Sequence, residues 1–214
     1  MNSDVLVLEL KKNNLGDVAA IHSSAFPQSA MTSLGHEAVR RYYEWQLIGP
    51  HECDALGAFR DGELLGFCFG GKFRGALSGF LRQNRLFLTR EVLTHPWLLT
   101  SPFFRQRVGF GLQAMRRFRP REQKRDTQDK SASRHKSYGI LSIGVDRQSQ
   151  GLGVGRLLML EAEQRARAAG FDQMHLTVHP DNVQAIGFYQ RLGWKKDGQD
   201  ARGNWSGRMI KILE

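Results

Sequence analysis

A chain of 214 residues is long enough for one domain with a sizeable core, and 41% hydrophobic and 24% charged residues are ordinary for a globular protein. The sequence excludes a membrane-spanning helix, because no run approaches about 18 uninterrupted apolar residues, and its two cysteines lack the spacing of a metal site. The net charge of +10 is concentrated in residues 72–136, which hold 16 Lys and Arg against 4 Asp and Glu. Since the N-terminus lacks a signal-peptide core, we expect a cytoplasmic protein.

Hydrophobic periodicity predicts an α/β domain. The predicted strands, in chain order, are 4–10, the hairpin 54–71 around Asp61-Gly62, 138–146, 173–179, 194–198 and 207–213. The predicted helices are 16–26, 36–48, 154–170 and 182–193. The residues expected to cap or end these helices are Asn14 or Asp17, Ser33, Gly170, Asp181 or Asn182, and Gly193. The whole chain, 1–214, is predicted to be a single domain.

Residues 72–136 interrupt this pattern, since a hairpin usually returns to its sheet within a few residues. Arginines alternate there with Phe, Leu and Trp, so we expect a basic, aromatic-rich helical insertion. A lid over the substrate is one interpretation. An anionic membrane surface is a second, which would place the protein peripherally at the inner membrane surface. A nucleic-acid partner is disfavoured, because the sequence contains no recognisable RNA or DNA module.

A glycine-rich turn, Gln150–Gly155, follows the strand 138–146 and opens the helix 154–170. Glycines there let the free N–H groups of the helix start approach an anion such as a diphosphate. The turn is not a P-loop, because Arg156 and Leu157 follow its last glycine where that motif needs Lys and Ser or Thr. The G-x-G-x-x-G dinucleotide fingerprint also fails, which leaves the pattern Q-x-x-G-x-G.

Residues 138–194 resemble the GCN5-related N-acetyltransferase (GNAT) superfamily. The glycine turn carries one half of the resemblance. The other half is the element N-x-x-A-x-x-F-Y-x-x-x-G-[FW], matched here by Asn182, Ala185, Phe188, Tyr189, Gly193 and Trp194. The resemblance implies a central mixed, mostly antiparallel sheet flanked by helices, in which the strands at 140–146 and 174–179 splay apart. It also implies an acyltransferase with acetyl-CoA as cosubstrate, no metal, and a small-molecule amine as acceptor.

By this resemblance, the main chain at 143–145 pairs with the pantetheine arm, and the amides of 150–156 hold the pyrophosphate. The cosubstrate-binding residues that it implies are Ile143, Gly144, Val145, Gln150, Gly151, Leu152, Gly153, Val154, Gly155, Arg156, Asn182 and Tyr189. Tyr189 matches the family's acid, which protonates the departing thiolate; a phenol with a pKa of about 10 can do this at neutral pH. Asn182 fits either an amide contact near the thioester or a plain helix cap.

The base that takes a proton from the amine is less sharply indicated. Many relatives place a Glu on the strand equivalent to 139–146, where this chain has Ser142. His175 and His179 lie on one face of the strand 173–179, and we predict His179 as the catalytic base because its ordinary pKa is near neutral. His36, Glu37, Glu44 and a chain of water molecules remain alternatives.

The insertion and the stretch 31–43 are also similar to bacterial acetyltransferases associated with cell-surface glycan synthesis. That similarity suggests an amino-sugar acceptor, in free, nucleotide-linked or lipid-linked form, whose diphosphate would attract arginines. A protein or peptide N-acetyltransferase is the alternative within the same class. A non-catalytic CoA-binding adaptor at a membrane surface is the alternative from another class.

Overall fold

The structure, a computed structural model, describes residues 4–94, 136–199, 203 and 205–213. The chain divides into two compact units. The first, which we call the sheet unit, consists of Met1–Leu10, His51–Phe73 and Arg134–Glu214. The second, the helical unit, consists of Lys11–Pro50 and Arg74–Ser133.

The described strands form one seven-stranded sheet in the order β1-β2-β3-β4-β5-β7-β6. They are β1 Leu6–Glu9, β2 Glu52–Arg60, β3 Glu63–Lys72, β4 Ser137–Val145, β5 Gln173–Thr177, β6 Lys195–Lys196 and β7 Arg208–Ile212. The described helices are α1 Leu15–Ala25, α2 Ala30–Ser33, α3 His36–Ile48, α4 Ala76–Gln83, α5 Arg85–Thr94, α6 Val154–Ala168 and α7 Val183–Arg191. Among the described strands, β4 and β5 alone pair in parallel, and every other pair is antiparallel. The predicted mixed, mostly antiparallel sheet is therefore confirmed.

The hairpin β2–β3 has the turn that its sequence predicts. Asp61 and Gly62 have φ angles of 51° and 83°. Two consecutive residues with positive φ are the mark of a type I′ turn, whose twist matches that of the strands it joins. The turn thereby fixes the register in which Arg60 faces Glu63.

One face of the sheet is covered by α6, whose buried residues recur at helical spacing: Val154, Leu158, Met159, Ala162 and Ala166. They join a core cluster with residues from β2 to β5 and with Ile186 and Tyr189 of α7. The predicted stop at Gly170 is confirmed: its φ is 70°, its amide donates to the Arg167 carbonyl, and the Phe171 amide donates to that of Ala166. These bonds satisfy carbonyls that the helix end leaves open.

In the helical unit, α1 and α3 are joined by a buried hydrogen bond between His22 Nδ1 and Tyr43 Oη, 2.8 Å long. The expected cap at Ser33 is wrong. Ser29 caps the short helix α2, its hydroxyl accepting from the Thr32 amide, and Gly35 precedes α3. The sequence hid this because 30–33 is too short to show helical periodicity.

The first part of the predicted insertion is helical, since it forms α4 and α5. Residues 95–135, the rest of the insertion, lie outside the described residues. No helix within the described ranges is long and apolar enough to cross a bilayer.

Candidate functional site

The parallel pair β4–β5 separates after three residue pairs. The last pair is Gly139 with His175. Beyond it, β4 continues to Val145 against β3, whereas β5 continues to Thr177 against β7. Each strand follows a different neighbour, so a gap opens between them, as the resemblance implies. On the side of β4 that faces this gap, the main chain from Ile140 onward therefore has no described strand beside it.

A bulge in β4 lies at the start of the gap. The β3–β4 register passes from Ile140 opposite Gly70 to Ser142 opposite Phe69, which leaves Leu141 without a partner. The extra residue reverses the alternation of the strand. Consequently Ile143, like Ile140, packs against the core cluster on the α6 side.

The turn that joins β4 to α6 is held by its own side chains. The Asp146 carboxylate accepts from the Gln148 amide at 2.8 Å, at the start of a short 3₁₀ turn, Arg147–Ser149. The Gln150 side chain donates back to the Val145 carbonyl at 3.3 Å. These bonds fix the path of the chain before the glycines, so the turn does not depend on a ligand for its shape.

Two glycines shape the surface of this turn. Gly151 and Gly153 have φ angles of 83° and 82°, which disfavour any side chain. A Cβ built on either would meet no atom within 4 Å, so the space above both is open. Gly155 differs, because a Cβ there would lie 3.4 Å from Phe188 of α7.

Helix α6 begins under these glycines, with Gly153 as its first flanking residue. The first N–H groups of a helix have no partner within the helix and carry about half a positive charge together. The first described amide to bond back into the turn is that of Leu157, to Gly153. An open, side-chain-free helix start fits a diphosphate, so the residues present suit the coenzyme that the resemblance implies.

Tyr189 lies on α7 among the core residues, with only 9% of its surface exposed. Its ring packs against Phe188 and Trp194, and its hydroxyl makes no hydrogen bond to any described residue. Burial raises the pKa of the phenol above its usual value, and the neighbouring Cys68 thiol adds to this effect. The hydroxyl therefore keeps its proton at neutral pH and has it available for another acceptor.

Asn182 caps α7, as one of the two interpretations predicts. Its side-chain oxygen accepts from the Ala185 amide at 3.0 Å, and its main-chain carbonyl accepts from Ile186. The cap accounts for one side of the carboxamide and leaves its NH₂ group for other contacts. The predicted coenzyme contact of Asn182 stays a prediction.

His179 lies beyond the end of β5 with 64% of its side chain exposed. Its Nδ1 accepts from the Asp181 amide at 3.3 Å. In the neutral ring this bond occupies the one free lone pair, so Nε2 carries the proton. The Asp181 carboxylate lies 3.6 Å from Nδ1. The catalytic role of His179 stays a prediction.

The alternatives on α3 are engaged within the helical unit. Glu37 receives hydrogen bonds from Arg40 and Arg41, and this holds the pKa of its carboxyl at about 2. Glu44 is bound by Lys12 at 2.6 Å, which likewise lowers its pKa. His36 Nε2 lies 3.1 Å from the Gly16 carbonyl, to which it donates. Paired in this way, the two carboxylates are poor proton acceptors, whereas the bond of His36 occupies only its Nε2.

Comparison with known proteins identifies the family. The profile described as "Acetyltransferase (GNAT) family" matches residues 16–194, most of the chain. The chain belongs to the GNAT acetyltransferase family. The predicted family is thereby confirmed.

Individual GNAT relatives match shorter segments. N-acetyltransferase 8B of Homo sapiens is 31% identical over 84 residues, which cover 39% of this chain and 37% of that protein. Mycothiol acetyltransferase of Actinosynnema mirum is 40% identical over 65 residues, covering 29% of this chain and 22% of that protein. The chain thus aligns with well under half the length of these curated relatives.

The whole GNAT fold is matched by solved structures. The PaiA N-acetyltransferase of Thermoplasma acidophilum, solved in complex with coenzyme A, superposes with a TM-score of 0.57 at 14% identity. The match covers 98% of this chain and 99% of that one. At this identity the likeness establishes the fold, and the coenzyme is the ligand of that relative.

Proposed function

We propose that the protein transfers the acetyl group of acetyl-CoA to a primary amine. The observation that supports this proposal is that the sheet unit combines three features: the open glycine turn at the start of α6, the gap between β4 and β5, and a Tyr189 hydroxyl without a hydrogen-bond partner among the described residues. The turn suits the diphosphate, and the gap suits the pantetheine arm. An acetyl thioester supplies an activated acyl carbon.

Each of these three features has a role in the proposed reaction. The backbone amides from Gln150 to Arg156 bind the diphosphate, and the unpaired edge of β4 at Ile143–Val145 hydrogen-bonds the amide groups of the arm as a strand would. One of these β4 amides also donates to the carbonyl oxygen as negative charge develops on it. Tyr189 returns a proton to the departing sulfur.

For the acceptor, we propose an amino sugar or its nucleotide- or lipid-linked form, as in cell-surface glycan synthesis. The support is the basic character of 72–136, whose four described arginines, Arg74, Arg82, Arg85 and Arg90, are all exposed. Guanidinium groups bind diphosphates through paired, charge-assisted hydrogen bonds. A protein or peptide amine is the competing acceptor, and a non-catalytic CoA-binding adaptor is the competing function.

A screen of primary amines separates these functions. Free CoA is followed with a thiol reagent while acetyl-CoA is offered with glucosamine, UDP-glucosamine, an alanyl peptide or a lysyl peptide. We expect CoA release with an amino sugar, and N-acetylation of that sugar by mass spectrometry. Release of CoA with a peptide but with no amino sugar would show that the acceptor is a protein or peptide amine. Binding of acetyl-CoA without release with any amine overturns the proposed activity and favours the adaptor.

We further propose that α5 rests on an anionic membrane surface. Its leucines Leu86 and Leu93 are 80% and 75% exposed and share one face of the helix with Arg90. Exposed leucines beside arginines suit the boundary between anionic headgroups and acyl chains, and the +12 net charge of 72–136 complements such lipids.

Sedimentation with vesicles tests this contact. Vesicles containing anionic phosphatidylglycerol should bind the protein, and phosphatidylcholine vesicles should not. The double variant Leu86→Glu/Leu93→Glu should lose binding, whereas Leu160→Glu, an exposed leucine on α6, should keep it. Equal binding by all three proteins, or none by the unmodified chain, would refute the membrane contact.

A further inference from the structure

His175 lies where β4 and β5 part. It forms the last residue pair of the two strands, opposite Gly139. A Cβ built on Gly139 would come within 3.1 Å of both Cε1 and Nε2 of His175. The imidazole therefore lies against β4, in space that only a glycine at 139 leaves free.

The orientation of this ring is fixed at one end. Its Nδ1 shares a hydrogen bond of 2.7 Å with Ser137 Oγ. Gln173 donates to the same oxygen at 3.4 Å. Because Ser137 precedes Gly139 on β4, Nδ1 points back into the paired part of the strands and Nε2 lies at the start of the gap. Nε2 has no hydrogen-bond partner among the described residues.

His175 and Tyr189 lie on opposite faces of the sheet. Met174 and Leu176, which flank His175 on β5, belong to the same core cluster as Tyr189. Successive side chains of a strand point to opposite faces, so the imidazole points away from that cluster. One group that can accept a proton and one that can donate it thus lie on opposite faces of the sheet.

The surroundings of His175 keep the imidazole neutral. Burial lowers the pKa of the ring below its usual 6.5, and the charge of Arg208 on β7 lowers it further. That guanidinium is itself paired with Asp197 at 3.1 Å. From β4 and β5 the facing groups are Ser137 and Gln173, which do not titrate.

Given the proposed acetyl transfer, we infer that His175 is its general base and that Nε2 takes the proton of the attacking amine. The neutral ring then carries its own proton on Nδ1 and donates it to Ser137, whose oxygen can accept from Gln173 as well. His175 takes the place that the sequence assigned to His179, four residues nearer the paired end of the strands.

The protons balance in this step. A neutral amine forms the carbon–nitrogen bond with its lone pair while one N–H proton passes to Nε2 of His175. The carbon–sulfur bond breaks with its electron pair on sulfur, which takes the proton of Tyr189. The imidazolium and the phenolate that result are restored by proton exchange with water, so no oxidant, reductant or metal is needed.

The decisive variant is His175→Gln, compared with His51→Gln. His51 is a matched control, because it is another half-buried histidine of the sheet unit whose pKa burial lowers, and it packs on Phe73 away from β5. With the amine that the unmodified protein acetylates fastest, His175→Gln should lower kcat/KM about a hundredfold or more. It should also remove the fall of the rate at acidic pH and leave the Kd for CoA unchanged. His51→Gln should change none of these.

A second measurement needs no turnover. Nitrogen NMR of the free protein should show His175 titrating below pH 6.5, with the proton of the neutral ring on Nδ1. A neutral ring protonated on Nε2 would overturn the role, and so would an acidic limb that survives in His175→Gln or disappears in His179→Gln. Failure of the unmodified protein to acetylate any amine is a different result, since it overturns the proposed function itself.

Discussion

Replacing Gly153 by alanine tests the anion site at the start of α6. The substitution places a Cβ in open space above the turn and forces an L-residue to a φ of 82°. Gly170, at the other end of the same helix, has a φ of 70° and equally open surroundings. The two alanine variants therefore carry the same backbone strain, and only Gly153→Ala alters the surface that would meet a diphosphate.

The expected effects follow from these geometries. A left-handed conformation costs an L-residue about 1–2 kcal/mol, and part of this is offset because alanine restricts the unfolded chain by about 0.4–1 kcal/mol. Each variant should thus lose about 1 kcal/mol of unfolding free energy, or about 2–4 °C in Tm at this chain length. A weakened charge-assisted hydrogen bond is worth about 1.5–3 kcal/mol, so Gly153→Ala should bind CoA about ten- to a hundredfold more weakly.

Calorimetric titration with CoA and thermal unfolding provide the two readouts. Gly170→Ala should have a lower Tm than the unmodified protein but the same Kd for CoA. This result would show that lost stability alone does not weaken binding. If Gly153→Ala also keeps that Kd, the start of α6 does not hold the diphosphate, and the proposed coenzyme site is refuted.

Three further predictions concern single side chains. Tyr189→Phe removes the proton for the sulfur and should lower kcat about tenfold or more with little change in the Kd for acetyl-CoA; an unchanged kcat would exclude the acid role. Burial lowers the pKa of His22 to about 4, so the unfolded chain binds a proton at this side chain more readily than the folded chain does. The free energy of unfolding should therefore be constant above pH 6.5 and decrease by about 3 kcal/mol as the pH falls to 4. Denaturant titrations at several pH values should show that His22→Gln lacks this decrease. The same dependence of unfolding free energy on pH in both proteins would contradict the prediction. Burial raises the pKa of the Cys53 thiol to about 12 and also raises that of Cys68. Iodoacetamide at pH 7.5 should therefore alkylate both thiols slowly until urea unfolds the chain, as followed by mass spectrometry. Fast alkylation of Cys68 in the folded protein would contradict its burial.

Local features of the fold could be predicted because neighbouring residues determine them. The Asp61-Gly62 turn, the stop at Gly170 and the cap at Asn182 each depend on the conformational preferences of a few residues. The bounds of α3, His36–Ile48, also agree with the periodicity of the sequence. The helix α2 and its cap at Ser29 escaped prediction, because four residues carry no period.

The candidate site divides in the same way. The sequence by itself determined the glycine turn and the Asn182–Trp194 element, since the bare backbone and the motif are written in consecutive residues. Only the tertiary structure decided where β4 and β5 part, because strand pairing depends on which neighbour each strand follows over long sequence separations. That parting point places His175 rather than His179 at the start of the gap. The tertiary structure also shows Glu44 bound to Lys12, a pair that no helical spacing reveals. The pairs of Glu37 with Arg40 and Arg41, in contrast, follow the i,i+3 and i,i+4 spacing of a helix.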